Sequence, residues 1–140
     1  MVRTLTASLL ALTLIATPAL ATPQAEINAT LRNDQSIWDG LFALALADQI
    51  RENCETIEAR TFRATRFVYG VYSDARAYGF SRQEIRAFQV DDGTEAQMRA
   101  RVQDYYTQHG VRIGASETYC ALGLAEISAG TPAGNLMRAR

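Results

Sequence analysis

The chain has 140 residues, 48% of them hydrophobic, with 14 basic and 15 acidic side chains and a formal net charge of −1. That balance excludes the strongly basic footprint of most nucleic-acid binders, so no nucleic-acid partner is expected. There is no lysine, which removes Schiff-base chemistry and the phosphate-loop lysine together.

Residues 1–21 carry the marks of an export signal. Arg3 gives a positive start, an uncharged Leu-rich stretch runs from Leu5 to Ala16, and Ala19 and Ala21 place small residues where a signal peptidase cuts. About twelve apolar residues are too few to span a roughly 30 Å hydrocarbon core as a helix, which argues against a retained anchor. No cysteine adjoins the cleavage site and no paired arginine precedes the apolar stretch, so neither lipid anchoring nor the folded-protein route is indicated. We expect cleavage after Ala21, a periplasmic location, and no transmembrane segment after cleavage. Without Arg3, 13 arginines face 15 acidic residues, a net charge of −2. That length forms one domain.

The expected organisation is a flexible N-terminal arm over 22–34, a helical domain over 35–130 and a C-terminal tail over 131–140. A first helix from Ser36 to Asn53 is apolar nearly all round, the signature of a central, buried helix. A second spans Glu55 to Tyr78, with Ile57, Ala64, Phe67, Val68, Val71, Tyr72, Ala75 and Tyr78 on one stripe. Gly70 in its middle would let another helix approach closely. Gly79 can end that helix in the left-handed conformation. Ser81 and Glu84 form a capping box for a third helix, Arg82 to Val90, with Phe80 and Ile85 as a hydrophobic staple. Thr94 with Gln97 repeats the capping pattern for a fourth helix ending at His109-Gly110. Ser116 caps a fifth, Glu117 to Ala129, stopped by Gly130, with Cys120, Gly123, Leu124 and Ile127 on its inward face. No strand alternation is visible. The fold class is therefore all-α, a small bundle of four to five helices.

Cys54 and Cys120 are the only cysteines, and both lie beyond the export signal. In an oxidising compartment an even pair most often forms a disulfide. A redox-active or metal-bound pair lacks the C-x-x-C spacing and the histidine partners it needs; an intermolecular bridge is the remaining alternative.

Chemistry-bearing residues are few. Asp48 lies near the wheel position of Leu41 and Ala45, so it is expected to be partly buried, either in an ion pair or as a ligand-binding or pH-responsive carboxylate. His109, the only histidine, falls in the last turn of the fourth helix, where a cation interacts well with the helix dipole. Arg60, Arg63 and Arg66 spread over about 120° of the second helix, which suits a solvated face better than a convergent anion site. Asp91, Asp92 and Glu95 around Gly93 lack the ligand spacing of a calcium loop. A serine nucleophile elbow is absent. Hence no catalytic, cofactor-binding or metal residues are assigned. Phe62 and Tyr69 fall off the main stripe of the second helix and mark a second apolar surface for a partner.

Three segments carry a family resemblance. Leu41-Phe42-Ala43-Leu44-Ala45-Leu46-Ala47-Asp48-Gln49-Ile50-Arg51-Glu52-Asn53-Cys54, Gly79-Phe80-Ser81-Arg82-Gln83-Glu84-Ile85 and Tyr119-Cys120-Ala121-Leu122-Gly123-Leu124-Ala125-Glu126-Ile127 resemble the blocks of the alphaproteobacterial domain-of-unknown-function family 5333. The resemblance covers roughly residues 37–137. It implies an exported protein with no assigned activity, associated by gene neighbourhood with the respiratory NADH dehydrogenase, and it supplies no catalytic residues.

The expected function is a non-catalytic periplasmic accessory protein that binds another protein through an apolar patch on the second or fourth helix. The alternative is a small-ligand binder or an acid-responsive helical chaperone; an enzyme comes third.

Overall fold

The computed structural model describes residues 21–140; the segment expected to be an export signal, apart from its last residue, lies outside them. Among the described residues there are six helices and one short two-stranded ribbon. In chain order they are α1 (Gln24–Asn33), α2 (Gln35–Asn53), β1 (Ile57–Ala59), α3 (Thr61–Ala77), α4 (Arg82–Gln89), α5 (Asp92–Gln108), α6 (Ser116–Ala129), a 3-10 turn (Gly134–Leu136) and β2 (Met137–Ala139). The all-α class stands, with more helices than the four or five expected.

The central helix is α2, as its all-round apolar character predicts. It packs against α1, α3, α5, α6 and β1. Asp34 caps it, accepting a hydrogen bond from the Ile37 amide. Gly40 is where α3 comes closest: a Cβ there would stand 2.6 Å from Val71 Cγ2. The close-approach role expected of Gly70 is absent, since nothing lies within 4 Å of a Cβ at that position.

Two apolar clusters form around α2. One joins its C-terminal half to α5, α6 and the C-terminal segment, through Leu46, Ile50, Val102, Tyr106, Leu122 and Leu136. The other joins its N-terminal turns to α1 and α4, through Ile27, Leu31, Ile37, Ile85 and Phe88. Cys54 and Cys120 form a disulfide, S–S 2.01 Å, tying the end of α2 to α6.

Three expectations about the backbone are corrected. Residues 22–34 are not a flexible arm: α1 occupies most of them, and Ile27 and Leu31 are fully buried. The helix expected from Glu55 begins only at Thr61, because Ile57–Ala59 pair antiparallel with Met137–Ala139. Residues 131–140, expected as a tail, supply the 3-10 turn and that second strand. Glu58 reinforces the ribbon by accepting from Arg138, 2.6 Å, and Arg140, 3.3 Å.

The caps are mixed. The Ser81–Glu84 capping box is present in full, and Gly79 and Gly130 adopt positive φ at their helix ends. The α5 cap is Asp91, not Thr94: the Asp91 carboxylate accepts from the Thr94 amide and hydroxyl, and Thr94 is buried inside the first turn. Ser116 is the first residue of α6 and does not cap it. The buried face of α6 carries Tyr119, Leu122, Gly123 and Glu126, one position away from the face expected, so Leu124 is exposed.

Candidate interaction surface

The least covered element is α3. Of its 17 residues only Ala75 is buried. A helix of this length normally buries an apolar stripe on its neighbours; here Phe67, Val71 and Tyr72 are only half-covered by α2 and α4. Val68 and Tyr78 are exposed, Tyr69 is 69% exposed and Phe62 94%. The two residues expected to mark a partner surface therefore face solvent.

Beside this helix runs an apolar trough of about 380 Å3 between α2, α3 and α4. Leu41, Leu44, Val68, Tyr69 and Tyr72 line it; the buried Ile37, Ile85 and Phe88 form its floor, and Arg82 and Gln89 stand on the α4 side. Past Leu44 and Val68 a second depression of about 360 Å3 continues to Ala47, Asp48, Arg51 and Met137. On the opposite flank of α3 a third groove brings Arg63 and Arg66 beside Phe67, Gly70 and Asp74. Arg60 does not join them, so the three arginines do not form one anion site.

Asp48 is corrected. It is exposed, and its carboxylate pairs with Arg51 of the same helix at 2.6 Å. The buried carboxylate is Glu126, 5% exposed. It accepts hydrogen bonds from the Tyr105 and Thr131 hydroxyls, and Thr131 in turn accepts from the Gly134 amide. This network joins α5, α6 and the C-terminal segment. Burial, then the bond to Glu126, pushes the Tyr105 phenol up to about 12. Tyr119, Leu122 and Glu126 recur at helical spacing, which was the signal available for it. Glu126→Ala is expected to destabilise the fold by about 2 kcal/mol, since two half-buried hydroxyls lose a charged acceptor. Urea unfolding checks it; a loss under about 0.5 kcal/mol would show that the network is not structural.

His109 stacks on Tyr105 with ring centroids 3.9 Å apart, and its Nδ1 lies 2.8 Å from the Tyr105 carbonyl oxygen. Asp91 is occupied by its cap and by Arg32 at 3.4 Å. Among the described residues no group of three His, Cys, Asp or Glu is placed to hold a metal ion, and no helix is long and apolar enough to cross a membrane.

A family model described as a family of unknown function (DUF5333) matches residues 29–138. No curated protein and no solved structure matches the chain.

Proposed function

The chain belongs to this family of unknown function, DUF5333, and from that premise we propose that it is an exported, periplasmic, non-catalytic accessory protein that binds another protein in the trough beside α3. The observation that carries this reading is the uncovered state of α3, with one buried residue in 17. An apolar trough rimmed by exposed Val68 and Tyr69 offers what a partner's apolar side chains need: concavity, and water to displace. The absence of catalysis is supported by how the ionisable candidates are used. Asp48 is paired with Arg51, Glu126 is tied to two hydroxyls, and Asp91 serves as a cap.

The test is affinity capture of the tagged chain from its own cells after mild crosslinking, alongside Val68→Asp and Tyr69→Asp. The expected result is one stoichiometric protein, lost with either substitution. Recovery of the chain alone, or a partner indifferent to both substitutions, would overturn the reading.

A second reading, an acid-responsive chaperone, has one observation in its favour. Four carboxylates hold helix caps or joints between elements, and each is held below its ordinary value. A hydrogen bond from Tyr78 lowers Asp34, Arg138 lowers Glu58, the Ser81 amide lowers Glu84 and the Thr94 amide lowers Asp91. A depressed folded-state pKa gives stability that is complete above the unfolded value and disappears as pH falls through the folded one. The ordinary values here are 3.8 for Asp and 4.5 for Glu. The urea midpoint is therefore expected to be level from neutral pH down to about pH 5 and to fall steadily below about pH 4. A midpoint unchanged to about pH 2 would contradict this and remove the chaperone reading with it.

A further inference from the structure

The arginines divide in a way that the fold itself does not require. Outside residues 60–89 there are seven described arginines, Arg32, Arg51, Arg99, Arg101, Arg112, Arg138 and Arg140, and every one is within 4.0 Å of a carboxylate. Inside 60–89 there are six, Arg60, Arg63, Arg66, Arg76, Arg82 and Arg86, and none has a carboxylate partner among the described residues. Only Asp74 and Glu84 oppose them in this stretch, and Glu84 is engaged by the Ser81 amide. Residues 60–89 therefore carry +4 (6 − 2), while the other described residues carry −6 (7 − 13). The excess of positive charge is thus concentrated in the segment that forms α3 and α4.

The outward face of α3 belongs to that segment. At 100° per residue, Phe62, Arg66, Tyr69, Ser73 and Arg76 fall within an arc of about 80° that points away from α2 and runs about 21 Å. Two exposed aromatic rings thus alternate along a ridge with two exposed guanidinium groups that have no carboxylate partner, Arg76 donating to the Phe80 carbonyl oxygen at 2.6 Å. The ridge is convex, and Phe62 stands out from it at 94% exposure. A rigid protein partner would need a matching furrow with acidic walls. A yielding, negatively charged surface needs neither, because rings enter the headgroup layer while arginines meet the phosphates. The acidic remainder of the chain would be repelled by the same surface, which fixes one orientation.

We propose that the outward face of α3, where Phe62 and Tyr69 alternate with Arg66 and Arg76 and Arg63 stands on the flank, docks this protein on the surface of an anionic lipid bilayer. The attachment is peripheral. It shares Tyr69 with the rim of the trough but not Leu41, Leu44, Val68 or Tyr72, and it does not depend on the protein partner existing.

The experiment is co-sedimentation of the full chain with vesicles of phosphatidylcholine alone and of phosphatidylcholine mixed with phosphatidylglycerol. Binding to the mixed vesicles, weak binding to the neutral ones, and a decline with added salt are expected. Arg63→Glu with Arg66→Glu should weaken binding at least about thirtyfold, and Phe62→Ser should weaken it with the salt dependence kept. These side chains are exposed, so an unchanged circular dichroism melt verifies folding of both variants. Because both leave residues 1–21 untouched, membrane affinity of the apolar Leu5–Ala16 stretch cannot imitate the result. Equal binding to both vesicle types, indifference to the substitutions, or no binding would overturn the proposal. So would capture of an acidic protein that is lost in Arg63→Glu/Arg66→Glu without any vesicle binding, which would assign the ridge to a protein.

Discussion

Replacing Cys54 and Cys120 together with alanine is expected to lower the unfolding free energy by about 4 kcal/mol. The bridge joins positions 66 apart in sequence, and a crosslink of that span removes a large share of the freedom of the unfolded chain. A domain of this size has a total stability of roughly 5–15 kcal/mol, so the loss approaches the whole in the weaker case. The position of the bridge adds to its importance. It fastens the end of α2 to α6 just before the chain turns into β1, and Cys54 itself is buried in the larger cluster. Urea unfolding of the oxidised chain, the reduced chain and the double variant measures it. Reduced and substituted proteins should agree with each other and fall well below the oxidised one. A difference under about 1 kcal/mol would mean that the unfolded chain is not restrained by the bridge.

Leu31→Ala is expected to cost about 3 kcal/mol. Leu31 is fully buried, one helical turn after the equally buried Ile27, and both pack with Ile37, Ile85 and Phe88. Truncation leaves a cavity where α1, α2 and α4 meet, directly beneath the trough. The same substitution in a loose arm would change stability by less than about 0.5 kcal/mol, so thermal unfolding separates the two descriptions sharply. Function should follow structure: if α1 is the brace that keeps α4 in place, Leu31→Ala should also weaken capture by the trough, although it touches nothing exposed.

The contrast between α1 and α4 shows which parts of the fold are legible in the sequence. Ser81, Glu84 and Gly79 announce α4 because a cap is made by residues adjacent in the chain. The segment Gln24–Asn33 has only two large apolar side chains, Ile27 and Leu31, and buries Asn28 beside them through a bond from the Gln24 side chain. Two apolar residues a turn apart do not distinguish a helix from a polar arm until the surface they meet is known. The ribbon is harder still. Each strand is three residues long, and its pairing joins Glu58 to Arg138 across most of the chain, so no local pattern specifies it.

The environments of Asp48 and Glu126 escape a local reading for the same reason. Asp48 sits on a largely apolar helix, yet the side it faces is covered only by a shallow depression, and it remains in solvent with Arg51. Glu126 is buried by residues 130–136, a segment that looks like a tail because Thr131-Pro132-Ala133-Gly134 reads as a breaker. Packing made Gly134 necessary there: a Cβ at that position would lie 2.0 Å from the Glu126 carbonyl oxygen. The exposed residues of α3 were more legible, since Phe62 and Tyr69 depart from a stripe that can be drawn from spacing alone.

The most direct test of the central claim is placement of a photo-crosslinking amino acid at position 69, on the rim of the trough, and at position 104, on the exposed side of α5, in the full chain expressed in its own cells. One discrete adduct with a single protein is expected from position 69 and none from position 104. The uncrosslinked chain alone from both positions, or the same adducts from both, would contradict the assignment of α3 and its trough as the working surface of this protein.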